Sequence, residues 1–431
     1  MPPRGGSSSW QPLLVREART RARAAARLVA DELAEGELLR DGADCSLAGG
    51  LAGLAVMYGY LARAWPGSGY DRLASRYLNR ALRALGEVRL SAALYEGFTG
   101  VAWAAAHLSA LGVDQDCDRG LGRIDVALRD YVGRSPWRHG FDLTSGLVGL
   151  GVYALERLPE PAAYEILELT VARLDEIAER SPAGVTWHTP TGRLRPDERE
   201  RFPNGYYDLG LAHGVPGVIG LLGGACAHGV AIEQARPLLE GAVRWLLAQA
   251  SVTEERGSRF AYRVAPDVPA GSTPARSAWC YGEPGIATTL LCAARAVGAT
   301  EWERQAIEIA HRAARRPVEE TGVLDAGLCH GAAGLGQIFN RLAQATGDGL
   351  LADAARRWLA HALDLREPGS GIAGFVSPAV DTGDGERRDA DPALLTGAPG
   401  IALALLAAST DLEPAWERVL LLSTAVPRSP R

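Results

Sequence analysis

The stretch GVPGVIGLLGGA, residues 214–225, opens with Gly-x-x-Gly and runs on without a charged residue. The same pattern starts at Gly50 (GLAGLAVMYGYL), Gly97 (GFTGVAWAAAHL), Gly146 (GLVGLGVYALERL), Gly282 (GEPGIATTLLCAA), Gly331 (GAAGLGQIFNRL) and Gly397 (GAPGIALALLAA). The seven starts are separated by 47, 49, 68, 68, 49 and 66 residues. A step of about 48 residues holds two helices of about fifteen residues with their loops. The steps near 68 leave about twenty residues over, which points to insertions.

Each run after a glycine pair is nearly apolar all round and is expected to be a fully buried helix. The segments between them differ. Residues 18–39, 71–85 and 306–316 mix charge with apolar positions at helical spacing and read as outer helices with one solvated face. Seven inner helices alternating with seven outer ones describe an all-α double ring, an α/α toroid, built as a single domain over residues 1–431. An open solenoid is the alternative. Closure is favoured because such apolar inner runs leave little surface for an open concave face. If the inner helices all point one way, their glycine-rich starts converge on one end of the ring, and residues beside each glycine pair line a shared cavity.

The composition excludes several classes. Hydrophobic residues make up 47% and charged residues 22%, which fits a globular chain and not a disordered or collagen-like one. Lys plus Arg is 45 against 51 for Asp plus Glu, a net charge of −6, so no nucleic-acid partner is expected. No transmembrane segment and no secretory signal are legible, and a cytoplasmic location is expected, with membrane association arising only through a biosynthetic complex. Six cysteines in a reduced compartment are expected as free, buried or metal-bound thiols. Cys45, Cys117 and Cys292 read as buried thiols. Cys226 with His228 suggests a metal pair, but lies at the far end of its inner helix.

Chemistry gathers just before the glycines. Copy three reads Phe141-Asp142-Leu-Thr-Ser-Gly146 and copy four Leu211-Ala212-His213-Gly214. Copy five reads Arg276-Ser-Ala-Trp279-Cys280-Tyr281-Gly282 and copy six Leu328-Cys329-His330-Gly331. In the ring, two cysteines, two histidines and an aspartate from adjacent copies face one cavity. Two thiolates and one imidazole make a zinc site with a fourth position left open, the pattern of a catalytic zinc. Cys329 and His330 would diverge by about 100° inside a regular helix, so joint ligation requires irregular backbone at the helix start, beside Gly331. The competing reading makes Cys280 and Cys329 small core residues.

These motifs resemble the lanthionine synthetase C-like, or LanC-type, cyclase family. The match runs from about Gly50 to Ala407 and rests on the seven glycine pairs, on Trp279-Cys280-Tyr281-Gly282 and on Cys329-His330-Gly331. The resemblance implies an α/α toroid with one zinc held by Cys280, Cys329 and His330. It implies catalytic roles for His213 and Asp142, with Arg276 and Tyr281 nearby. The chemistry implied is thioether ring closure, in which a cysteine thiol of a precursor peptide adds to a dehydroalanine or dehydrobutyrine of that peptide. His213 is the candidate acid that protonates the enolate, and Asp142 would orient it. Arg276 would stabilise the enolate oxygen or pair with Asp142. The competing readings are a helix N-cap for Asp142, a core histidine for His213, a salt-bridged Arg276 and a packed Tyr281.

The expected partners are a dehydrated leader–core precursor peptide and a separate dehydratase, since no dehydratase domain fits beside the toroid; a transporter is a further candidate. Addition of glutathione to dehydrated residues is the alternative activity, and a non-catalytic toroidal scaffold the alternative class. Paired carboxylates for glycoside chemistry are not in evidence at the copy junctions. Three parts fall outside the repeat: an N-terminal arm over 1–16, room for a small inserted subdomain between copies three and four over 160–208, and a glycine-rich loop over 366–394 read as a rim that guides peptide.

Overall fold

In the computed structural model the described residues are 10–35, 44–113, 120–251, 257–265, 274–377, 380–381, 386–387 and 390–423. The helices are α1 (Arg16–Glu35), α2 (Leu51–Ala64), α3 (Tyr70–Ala84), α4 (Phe98–Ala110), α5 (Leu121–Val132), α6 (Leu147–Arg157) and α7 (Pro161–Glu176). A short α8 (Pro196–Arg201) precedes α9 (Val215–Ala227), α10 (Ile232–Ala248), α11 (Glu283–Val297) and α12 (Thr300–Arg315). The last three are α13 (Ala332–Thr346), α14 (Gly349–Asp364) and α15 (Ala398–Ser409).

The seven glycine-led runs are α2, α4, α6, α9, α11, α13 and α15. Each packs on the next, and α15 packs back on α2, so the inner ring is closed. The amphipathic helices α3, α5, α7, α10, α12 and α14 each cover the inner helix before them. The seventh outer helix is α1, from the opposite end of the chain, lying on α15. Residues ahead of α1 fasten this closure: Trp10 is buried and its indole donates to the Ala407 carbonyl at 2.8 Å, and the Leu14 amide donates to Ala408 at 2.9 Å. The architecture is therefore an α/α toroid.

The starts of the inner helices meet at one end. The residue two places before each glycine bonds to its counterpart in the next copy, through main-chain N–H to carbonyl contacts. Ala48 donates to Tyr95, Tyr95 to Thr144, Ala212 to Cys280, Cys280 to Cys329 and Cys329 to Leu395, at 2.8–3.4 Å. Leu143 donates to Ala212 and Leu394 to Ala48, completing the circuit. These bonds satisfy loop backbone that would otherwise be buried without partners.

Close approach explains the glycines. The first glycine of each copy is the N-cap residue of its helix. At Gly50 a side chain would begin 2.1 Å from the Asp44 carbonyl oxygen, which accepts from the Leu51 amide at the helix start. The second glycine packs on the loop of the preceding copy. A methyl group on Gly100 would stand 1.9 Å from the Leu94 carbonyl oxygen and 2.8 Å from Leu47 Cβ. Gly100→Ala should therefore destabilise the fold by about 2 kcal/mol or more, read as a lowered urea midpoint. An unchanged midpoint would mean that the ring tolerates wider loop spacing.

The centre of the ring is filled from the C-terminus. A 3-10 turn, Ala415–Leu420, with Leu421 and Leu422 after it, meets inner helices α4, α6, α9, α11 and α13. Arg418 pairs with Glu156 at 3.1 Å, Glu417 accepts from Gln337 at 2.6 Å, and Leu421 packs on Gly220. The Tyr95 hydroxyl and the Trp279 indole both donate to this segment, at Val419 and Leu420, each at 2.9 Å. Trp279 adjoins Cys280, so the plug braces the mouth of the ring from below.

The long steps carry the additions. Within the 160–208 span, Pro161–Glu176 is the third outer helix, and the added segment begins at 177. It contains a hairpin of β1 (Glu179–Ser181) and β2 (Gly184–Thr186), then α8, then β3 (Tyr207–Asp208). β3 pairs antiparallel with β4 (Arg263–Val264), which lies in the next long step, so two inserts join over one side of the mouth. In the glycine-rich 366–394 loop, β5 (Val380–Asp381) pairs with β6 (Glu386–Arg387). Residues 378–379, 382–385 and 388–389 of that loop lie outside the described residues, as do 36–39 of the expected first outer helix.

Candidate active site

Most side chains at the mouth come from two positions in the repeat, while Asp142 and Arg276 stand four and six residues before their glycines. Two residues before the glycine stand Thr144, Cys280 and Cys329; one residue before it stand Ser145, His213, Tyr281 and His330. Both positions lie in the turn ahead of the helix, where the backbone is not regular. This lets the adjacent Cys329 and His330 point at one place, as the spacing requires.

Cys280, Cys329 and His330 form the one group of three or more metal-ligating side chains found among the described residues. Their ligand atoms lie within 4.8 Å of one another. Ligands on a tetrahedral zinc are about 3.5–3.8 Å apart, so a small contraction closes this triangle around an ion. The donor set also fits, since thiolates and imidazole suit zinc. The Cys280 thiol is lowered to about 5 by the Cys329 hydrogen bond first, against burial, with His330 next. Cys329 is held well above its usual range by the same contact and by burial. One proton is thus shared, and the pair is primed to carry negative charge. His330 Nε2 lies 3.5 Å from Asp325 Oδ2, a carboxylate that also receives the Gly327 amide at 2.7 Å. Arg276 makes no ion pair with Asp142 among the described residues; its charge is felt instead at Cys280, Cys329 and His330.

The other half of the mouth is an acid–imidazole pair. His213 Nδ1 lies 3.3 Å from Asp142 Oδ2 and 3.4 Å from Thr144 Oγ1. Asp142 Oδ1 is held by the Ser145 amide at 2.7 Å and by the Ser145 and Thr144 hydroxyls, each at 3.2 Å. Burial would push the His213 imidazole down, but Asp142 outweighs it and, with Asp208 and Cys280, raises it above its ordinary value. Burial likewise pushes Asp142 up, and the hydrogen bond and charge of His213 bring it below the usual range. Both groups therefore favour their charged forms. Asp142 bonds the Ser145 amide in the turn before α6 and also touches His213; it is not the helix N-cap, a place that Gly146 takes.

Tyr281 donates to Asp208 Oδ2 at 3.0 Å and stacks edge-on with Tyr262. Burial and the adjacent Asp208 keep its phenol protonated far above the ordinary value. Asp208 also accepts from Arg263 at 3.3 Å, and Arg263 pairs with Glu198 of α8 at 2.8 Å. Tyr281 is thus tied to the inserted segment. Sequence reasoning missed Asp208, Arg263 and Arg193. A signal for Asp208 existed: it stands six residues before its glycine, as do Asp44, Asp325 and Asp391. Arg276 occupies that place in copy five.

Among the described residues, the other thiols are not part of this group. Cys45 is buried, Cys292 contacts the Leu422 carbonyl at 3.7 Å, and Cys117 lies outside the described residues. Cys226 is half-buried at the end of α9, where His228 bonds the Gly224 carbonyl. Among the described residues, no helix is long and apolar enough to cross a membrane.

Residues 42–421 match the model of a family described as lanthionine synthetase C-like protein. The chain belongs to the lanthionine synthetase C-like family. This LanC-like chain is 24% identical over 331 residues to the nisin biosynthesis protein NisC of Lactococcus lactis subsp. lactis, covering 70% of this chain and 75% of that protein. Its fold is similar to that of the solved nisin cyclase, with a TM-score of 0.76 at 20% identity, covering 94% of this chain and 98% of that one. The LanC-like match spans all seven glycine pairs and every side chain of the mouth described above.

Proposed function

We propose that this protein is a zinc-dependent peptide cyclase that closes lanthionine or methyllanthionine rings. The observation that carries the reading is the meeting of Cys280, Cys329 and His330 at the same ring mouth as the Asp142–His213 pair. When bound, zinc supplies the charge that turns a thiol of ordinary pKa about 8.5 into a thiolate at neutral pH. Cys280, Cys329 and His330 would hold it, three protein donors that leave room for a substrate thiol. His213, kept protonated by Asp142, gives a proton to the α-carbon after the sulfur has added to the β-carbon. Tyr281, fixed by Asp208, shapes the wall beside His213. The substrate would be a dehydrated precursor peptide made by a separate dehydratase, with a transporter as a further partner and the cytoplasm as the site of reaction.

Incubating the zinc-loaded protein with a dehydrated, cysteine-containing precursor tests this. Ring closure removes the free thiol with no change of mass. A mass increase by one glutathione, without ring closure, would favour the alternative thiol donor.

Asp142 sets a pH signature. An acid must be protonated, so activity falls as pH rises through the His213 pKa, which Asp142 raises. Asp142→Asn removes the charge, lowers that pKa and should move the basic limb of the kcat profile to lower pH. An unmoved limb would show that another group supplies the proton.

A further inference from the structure

The inserted segment builds a second wall over the mouth. Between this wall and the ring lies a cavity of about 740 Å³, a size that suits a few peptide residues. Asp142, His213 and Tyr281 form part of its lining on the ring side, and Trp187 and Arg193 line it on the inserted side. Its three arginines differ in what they hold. Arg263 is committed to Glu198 and Asp208. Arg195 lies on the exposed side, 3.6 Å from Glu198 and 3.9 Å from Asp197. Arg193 forms no ion pair among the described residues.

The Arg193 guanidinium donates through Nη2 to the Arg138 carbonyl. Its Nη1 lies 3.5 Å from the point where a side chain on Gly140 would begin, and the Ser145 hydroxyl is 3.8 Å from that same point. This places it at the Gly140–Ser145 edge, beside Asp142, whose charge it feels. Asp142 is bonded by Ser145, Thr144 and His213 and makes no ion pair with Arg193 among the described residues. Arg193 is exposed and lines the cavity, so its guanidinium can be reached from there. Arg276 and Arg193 divide the site: the charge of Arg276 is felt at Cys280, Cys329 and His330, and Arg193 stands beside Asp142, on the His213 side.

We propose that Arg193 is a further catalytic residue, which receives the acyl oxygen of the dehydrated residue while His213 serves its α-carbon. This rests on the thiol-addition reading above. The sulfur–β-carbon bond forms, and the electron pair of the C=C bond moves through the α-carbon onto the acyl oxygen. Arg193 holds that oxygen while its charge develops. His213 then protonates the α-carbon and the C=O bond is restored; the thiol proton passes to water, and water returns one proton to His213, so the protons balance. The product is an isomer of the substrate. A guanidinium fork suits an oxygen whose charge grows, and donors of this kind are worth about 10²–10³ in kcat.

The test uses steady-state cyclisation of a dehydrated peptide with one ring to close, with Arg193→Ala, Arg193→Lys and, as a control on α8 outside the cavity lining, Arg201→Ala. Arg193→Ala should lower kcat about 100-fold, with KM, zinc content and melting temperature near wild type. Arg193→Lys should recover part of the rate, and Arg201→Ala should stay within twofold of wild type. Wild-type kcat in Arg193→Ala, an effect on KM alone, or an equal loss in Arg201→Ala would each overturn the assignment. A zinc-loaded wild type that neither closes the ring nor adds glutathione would remove the thiol-addition reading and this assignment with it. That outcome is distinct from an active wild type indifferent to Arg193.

Discussion

Cys280→Ala and Cys329→Ala are each expected to lose zinc and to leave a dehydrated precursor uncyclised. Each removes one of the three side chains in the one close group of metal-ligating residues found among the described residues. The loss has two parts. A free thiol of pKa about 8.5 is only about 3% ionised at pH 7, so losing thiol activation alone costs about 30-fold. Losing the anchor that positions the sulfur adds to this. The fold should survive, because the contacts of both cysteines around the ring use main-chain atoms: Cys280 N–H to the Cys329 carbonyl at 3.3 Å, and Cys329 N–H to Leu395 at 2.8 Å. Circular dichroism should therefore match wild type. Cys45→Ala and Cys292→Ala, outside the metal-ligating group, should keep one zinc per chain. Normal ring closure by a zinc-free Cys280→Ala would refute the proposed chemistry.

His213→Ala should behave differently, keeping zinc while losing turnover. The imidazole is not among the three grouped ligands, and its partners are Asp142 and Thr144. It is half-exposed to the cavity, where a substrate carbon can reach it. A positioned general acid contributes about 10²–10⁴-fold, so kcat should fall within that range. Zinc analysis beside single-turnover kinetics checks both halves. Loss of zinc would make His213 a ligand, and an unchanged kcat would move the acid elsewhere.

The ring was legible in the sequence because its physical demands fall on glycine. A Cβ at Gly50 or Gly100 meets carbonyl oxygens at 2.1 and 1.9 Å, so no other residue serves, and the mark repeats. The grouping of Cys280, Cys329 and His330 was legible from the repeat too, since Cys280 and Cys329 share a place in it. The closure was harder to see. Helix α1 shows an amphipathic face, but nothing local says that this face meets α15 at the other end of the chain. The pairing of the two inserts rests on β3 and β4, two residues each, too short to show alternation. The C-terminal plug is a 3-10 turn, whose partners Tyr95 and Trp279 are far away in sequence. Arg193 reaches the mouth only because that pairing and the latch from Glu198 through Arg263 to Asp208 bring the insert down onto the ring.

X-ray absorption at the zinc edge, with and without a thiol-containing dehydrated peptide, tests the catalytic centre most directly. The protein alone should contribute two sulfurs and one nitrogen to the ion, and the peptide should add a third sulfur. A chain that binds no zinc, or one whose zinc already has four protein ligands and is unchanged by the peptide, would contradict a catalytic role for Cys280, Cys329 and His330.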